Sequence, residues 1–225
     1  MRAPWTPAVP TMRGPRPRIE PGAAGFTLVE LLAVLAILAL LMGASFVMFG
    51  GGTEKANRAE TRSRMAQLEM LISAYEQKHG DYPTDRLRDL KIKVDNDHNE
   101  GIEACLACLH GVDHPTGRLL DDKVLGNTDE DETTTLFHRE GSTRLLEVVD
   151  AWGNPIAYIH HRNYDATHTY LLSIPEERDI PDLYVSAAES DLTGVWANAQ
   201  SYQLISAGSD EEFGTEDDIA NFEVD

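Results

Sequence analysis

The chain has 225 residues, enough for one domain with its own core plus an additional segment. Its formal net charge of −19 argues against nucleic acid or an anionic lipid surface as partner of the soluble face, and favours divalent cations that neutralise packed carboxylates. Two cysteines exclude a disulfide framework.

Residues 1–25 carry Arg2, Arg13, Arg16 and Arg18 against one acid, Glu20, with several prolines that block a helix. Their net charge of +3 leaves about −22 on the remainder. Met12 is an alternative start that would shorten this leader. Positive charge ahead of an apolar run keeps that end in the cytoplasm. Ala24-Gly25-Phe26-Thr27-Leu28-Val29-Glu30 opens such a run, which reaches Phe49 with Glu30 as its only ionisable side chain. A bilayer span takes about 20 residues, whereas the apolar stretch of a secretory signal has about 7–15. Gly43-Ala44-Ser45 remains an alternative signal-peptidase site. A carboxylate inside a membrane helix costs roughly 2.5–3.5 kcal/mol on insertion scales, so Glu30 calls for a reason.

Gly50-Gly51-Gly52 reads as a flexible spot at the membrane exit, with helical character resuming from Glu54. Met65, Leu68, Leu71, Ile72 and Tyr75 recur at spacings of three and four, which predicts an amphipathic helix with one apolar stripe. It should end at His79-Gly80, with Gly80 at the C-cap and Pro83 beyond. Asp81-Tyr82-Pro83-Thr84 opens a loop, and Asn99 to Ala104 leads into a short helix reaching Leu109.

That short helix contains Cys105-x-x-Cys108, followed by His110 and His114. Structural zinc sites usually place a dozen or more residues between their ligand pairs, so four candidates on one helix and its exit fit zinc poorly. Buried structural thiols, a disulfide between Cys105 and Cys108, and a metal or redox site all stand as readings of the pair. Asp121-Asp122 and Asp129-Glu130-Asp131-Glu132 mark exposed loop with a solvated acidic face. Residues 111–145 show no other clear element pattern.

Gly153-Asn154-Pro155 is turn chemistry beside a large apolar anchor, Trp152. Ile156 to His160 and Tyr170 to Ser173 read as strands, and Ser201 to Ser206 as the last strand. Beyond it, Asp210 and the pair Asp217-Asp218 close an acidic loop in which Gly208 and Gly214 permit sharp turns. Such a loop can gather carboxylates for calcium, which takes 6–8 oxygen ligands at flexible geometry. The alternation of an EF-hand is missing, as are a P-loop, a dinucleotide fingerprint, a Gly-x-Ser-x-Gly elbow and His-Glu-x-x-His, so no enzyme is expected.

Residues 22–50 resemble the processing site and first helix of type IV pilins and pseudopilins. Residues 81–84, 101–106, 150–155 and 206–222 are similar to the major pseudopilins of type II secretion systems. The resemblance implies an α+β fold, with a long N-terminal helix packed on a small antiparallel sheet and a C-terminal metal-binding loop. It divides the chain into a cleaved leader (1–25), a transmembrane or filament-core helix (26–50), its amphipathic continuation (51–80), a variable helix-loop region (81–149) and a sheet with an acidic calcium loop (150–225).

It further implies cleavage after Gly25 by a prepilin peptidase and methylation of the new N-terminus at Phe26. Glu30 would pair with the Phe26 amine of a neighbouring copy during assembly. Calcium would be held by Asp210, Asp217 and Asp218 with the Ala207 carbonyl. Glu211, Glu212 and Phe213 stand where the family pattern has glycines, which leaves the ligand set open. The implied location is the inner membrane through residues 26–49, with a periplasmic head. Partners would be copies of itself, other pseudopilins and the inner-membrane assembly platform, and no nucleic acid. A type IV pilin for adhesion, motility or DNA uptake, and a membrane-anchored redox or metal-binding protein using Cys105 and Cys108, are the alternative readings.

Overall fold

The computed structural model describes residues 27–94, 96–110, 120–133, 143–172, 183–190 and 192–223, with backbone alone for 40–51. It divides into two compact units, Met1–Val47 and Met48–Asp225. The first long element, α1, is a helix over Leu28–His79. The backbone stays helical through Gly50, Gly51 and Gly52, so the expected flexible spot is not a break. Glycine's weak helix propensity is worth only about 1 kcal/mol per residue, which a long helix can absorb.

In the first unit the described side chains are exposed: Leu28 and Val29 are 75% and 74% accessible, and Leu31, Leu32, Val34, Leu35, Ile37 and Leu38 lie open as well. Among the described residues no helix is long and apolar enough to cross a membrane. The remainder of the apolar run, from Leu40 onward, lies outside the described side chains.

In the second unit the predicted stripe becomes the core face. Met65, Leu68, Leu71 and Ile72 are buried, and Tyr75 packs against them half-buried. The helix ends as its sequence dictates. Gly80 adopts a left-handed φ of +78°, and its amide reaches the Glu76 carbonyl at 2.7 Å. A short 3-10 turn, Leu87–Leu90, precedes α2, Glu100–Leu109. Every residue of α2 after Glu100 is buried.

The strands are short and antiparallel. β1 (Leu125–Gly126) pairs with β2 (Glu147–Val148). β3 (Ala157–His160) and β6 (Tyr202–Ser206) run Ala157 opposite Ile205 to His160 opposite Tyr202, with β7 (Ile219–Ala220) on the far side of β6. β4 (Thr167–Tyr170) pairs with β5 (Leu183–Ser186). The α+β expectation stands, but three small sheets replace a single one.

The strand expected over Tyr170–Ser173 lies three residues earlier and shares only Tyr170 with the expectation. The reason is local: the Asn99 Oδ1 accepts from the Leu171 amide at 2.9 Å, and Thr128 Oγ1 donates to the Leu171 carbonyl at 2.9 Å. Side chains thus occupy the backbone groups that would have continued the ladder. β6 is likewise not the last strand, because the chain returns after the acidic loop to form β7.

Candidate functional site: a capped helix start and an acidic C-terminal loop

Thr27 and Glu30 sit where the apolar helix begins. The Thr27 amide and hydroxyl both donate to Glu30 Oε2, at 2.9 and 2.7 Å, and the Glu30 amide returns a bond to Thr27 Oγ1 at 3.2 Å. This is a capping box, in which each side chain accepts from the other residue's otherwise orphaned backbone amide. The Thr-x-x-Glu spacing carries that signal in the sequence, beside the assembly role that the resemblance implies for Glu30. Both side-chain bonds use Oε2, so among the described residues Oε1 keeps its acceptor capacity. Gly25 and Phe26, the expected processing residues, lie outside the described residues.

The acidic loop between β6 and β7 is built around Asp217. Its Oδ2 accepts from the Ser209 amide at 2.7 Å, the Ser209 hydroxyl at 3.0 Å and the Asp210 amide at 3.1 Å, while Thr215 Oγ1 donates to Oδ1 at 2.7 Å. Burial alone would raise this carboxyl, but the bonds from Thr215, Ser209 and Asp210 together hold it well below the usual carboxylate range. Gly208, at φ +68°, lies against it. A Cβ there would come within 2.5 Å of Asp217 Oδ2, so the close approach requires glycine.

Asp218 differs from its neighbour. Its Oδ2 accepts from the Gly214 amide at 2.8 Å, but Oδ1 is buried with no hydrogen-bond partner among the described residues. Burial, with the charges of Asp217 and Asp210 in addition, pushes this carboxyl up to about 6. Among the described residues the carboxylates of Asp210, Asp217 and Asp218 do not converge within 4.8 Å of one another, so the three expected ligands are not drawn together here. Asp210 is more peripheral, with Oδ1 capping the Glu212 amide at 2.9 Å. Ala207, the expected carbonyl ligand, is fully buried at the loop entrance.

Asp150 connects this region to the long helix. Its Oδ1 accepts from the Trp152 and Asn154 amides at 2.9 and 3.0 Å, closing a turn in which Gly153 has φ +94°. Its Oδ2 receives the Ser206 hydroxyl at 2.7 Å. Arg64 of α1 donates to the carbonyls of Val149 and Asp150 at 2.8 and 2.6 Å, and the Ala151 amide donates to Thr61 at 3.1 Å. The turn is therefore clamped between α1 and the end of β6.

Two comparisons with known proteins bear on this arrangement. Residues 21–46 match the family model for the prokaryotic N-terminal methylation motif. Over 198 residues the sequence is 26% identical to the type II secretion system core protein G of Escherichia coli (strain K12), covering 88% of this chain and 90% of that protein. The chain is pilin-like. No solved structure gives a significant match.

In this pilin-like protein Cys105 and Cys108 are free thiols, both buried on α2. Burial pushes both thiols up, which leaves little reactive thiolate. Of the zinc candidates, His110 Nδ1 lies 3.0 Å from the Leu106 carbonyl, and His114 lies outside the described residues. Cys108 also lines a cleft of about 380 Å³ with Tyr75, Asp81, His160 and Arg162.

One expectation about the acids is corrected. Glu130 and Glu132 are exposed, but Asp131 is 5% exposed and Asp129 half-buried. The chain bends at Thr128 and Asp129 and turns through a left-handed Glu130 (φ +58°), which leaves Glu130 outside while Asp131 turns inward. The buried ones join Glu103 of α2 and Glu147 of β2, two acids that the sequence reading did not single out.

Proposed function

We propose that this protein is a major pseudopilin subunit of a type II secretion system. It is cleaved after Gly25 by a prepilin peptidase, methylated at Phe26, and polymerised into a periplasmic filament that drives protein export. The reading makes it a structural subunit and not an enzyme. It is anchored in the inner membrane by residues 26–49 until it enters the filament alongside other pseudopilins.

The observation that carries this reading is the apolar surface that the helix start leaves uncovered, from Leu28 to Leu38, interrupted by one carboxylate. Such a surface must be covered by lipid or by neighbouring helices. Moving it from lipid into a helical bundle leaves Glu30 in an apolar setting, where a charge is tolerable only when paired. The Phe26 amine, which exists only after cleavage, is the cation that would couple processing to assembly. Thr27 holds the Glu30 carboxylate by Oε2 and leaves Oε1 for that amine.

The C-terminal loop would hold calcium through Asp217, Asp218 and Asp210 with the Ala207 carbonyl, the ion supplying positive charge that fixes the loop. Arg58 of α1, which donates to the Asp217 carbonyl at 2.7 Å, then ties the ordered loop to the spine.

The test compares the secreted proteins of wild type with those of a deletion strain complemented by wild type or by Glu30→Ala. Loss of a defined set of exported proteins, restored by wild type and not by Glu30→Ala, is the expected result. An unchanged secretome would overturn the secretion role and move the assignment to a surface pilin.

A further inference from the structure

We propose that Glu103, Asp129 and Glu147 form a second, buried site for a hard divalent cation, calcium by its ligand type, distinct from the C-terminal loop. One carboxylate oxygen from each of the three lies within 4.8 Å of the others. They come from three separate stretches of chain: Glu103 from the middle of α2, Asp129 from the segment after β1, and Glu147 from β2. An ion here would staple that segment to the helix and strand beneath it.

The independent sign of a ligand is Glu103. It is 1% exposed, and among the described residues neither carboxylate oxygen has a donor other than a protonated Asp131. A buried carboxylate in that condition is sustained only by a cation or by a proton. Burial, then the charges of Asp131, Asp129 and Glu147, push Glu103 up to about 11. Asp131 lies close enough to share a proton with it.

The surroundings favour a cation over that proton. Glu147 is equipped as an anion: both its oxygens accept from the Thr128 amide at 3.0 Å, and Oε1 also accepts from Asn99 Nδ2 at 3.0 Å. Those donors only partly offset burial, which pushes the Glu147 carboxyl up to about 7. One proton shared between Glu103 and Asp131 neutralises a single charge, whereas one divalent ion held by three converging carboxylates neutralises two. Three carboxylates offer up to six oxygens, within the 6–8 that calcium takes. Magnesium usually keeps several waters and suits an enclosed all-carboxylate site less well.

The test uses the full-length protein in detergent, with Asp217→Asn and Asp218→Asn combined to silence the C-terminal loop. Calcium is counted by equilibrium dialysis, and thermal unfolding is followed in calcium, magnesium and chelator. The double variant should still bind about one calcium and melt at higher temperature with it, magnesium having a smaller effect. Adding Glu103→Gln should abolish both responses, yet leave the chelated protein as stable or more so, because a buried charge is removed. Asp129→Asn, at a half-exposed position, should weaken calcium binding about tenfold or more and guards against a folding defect of Glu103→Gln. If the double variant misfolds, the same two substitutions in the wild-type loop should lower the calcium count by one. A loop variant that binds no calcium, or a calcium count indifferent to both Glu103→Gln and Asp129→Asn, would overturn the site and assign the carboxyls to shared protons.

Discussion

The Arg58 guanidinium donates to the Asp217 carbonyl at 2.7 Å, joining the long helix to the acidic C-terminal loop across 159 positions of sequence. The bond fixes the residue whose carboxylate already organises the Ser209 and Asp210 amides.

Arg58→Met should keep the aliphatic stem and lose this bond. A hydrogen bond to a charged group contributes about 1.5–3 kcal/mol, so opening of the loop should become about tenfold more frequent or more. Hydrogen exchange over residues 206–218 would read it as faster exchange at Ser209 and Asp210. Unchanged exchange would mean that the loop's internal bonds suffice.

The capping box at Thr27 and Glu30 allows charge and capping to be separated. Glu30→Gln retains a side chain able to cap but removes the charge, whereas Thr27→Ala keeps the charge and loses a cap worth about 0.5–2 kcal/mol. Filament yield, scored by electron microscopy of sheared material, should collapse for Glu30→Gln as for Glu30→Ala and fall only partly for Thr27→Ala. Filaments from Glu30→Gln at wild-type yield would show that helix capping is the role of this residue.

Gly101 is fixed by proximity. It opens α2 against β3, where an added Cβ would run into the Tyr158 carbonyl and come 2.7 Å from the Tyr170 hydroxyl. That hydroxyl accepts the Tyr158 amide at 2.9 Å. Gly101→Ala should destabilise the head by about 1–3 kcal/mol, as overpacking of a filled core does, despite alanine's better helix propensity. Chemical denaturation measures it, and a neutral or stabilising result would show that the helix and strand can part without cost.

These tests follow the boundary between what the sequence makes legible and what it does not. The spacing of Met65, Leu68, Leu71 and Ile72 gave away the buried face of α1, and Gly80 its end, because helical periodicity and the C-cap are local rules. The interruption of β4 at Leu171 was not legible, since it depends on Asn99 and Thr128, which approach from distant positions. The same holds for Glu103 and Glu147. Each reads as an ordinary helix or strand residue, and their pairing with Asp129 arises only from tertiary packing. Thr-x-x-Glu at residues 27–30 is legible as a cap by the same local rules, although Glu30 also stands out as the one charge of an apolar run.

His160 supplies a pH dependence whose sign can be worked out. Its Nδ1 accepts from the Arg162 amide at 3.2 Å, so protonation at that nitrogen would break the bond. Burial first, then the charges of His161 and Arg162, lower its pKa below 6.5, against the opposing pull of Asp85 and Asp81. Below that value the unfolded chain takes up the proton before the folded one does. The unfolded state then binds more protons, and stability falls as pH drops from 6.5 towards the lowered folded value. Glu103 and Glu147, whose folded carboxyls are raised, act in the opposite direction over the same range in the absence of a cation. The His160 contribution is therefore read as a difference between wild type and His160→Asn, which keeps an acceptor for the Arg162 amide but cannot charge. Melting temperatures in chelator from about pH 7.5 to about pH 5.5 should show the variant gaining on wild type as pH falls. Parallel curves would show that His160 takes up its proton equally well in both states.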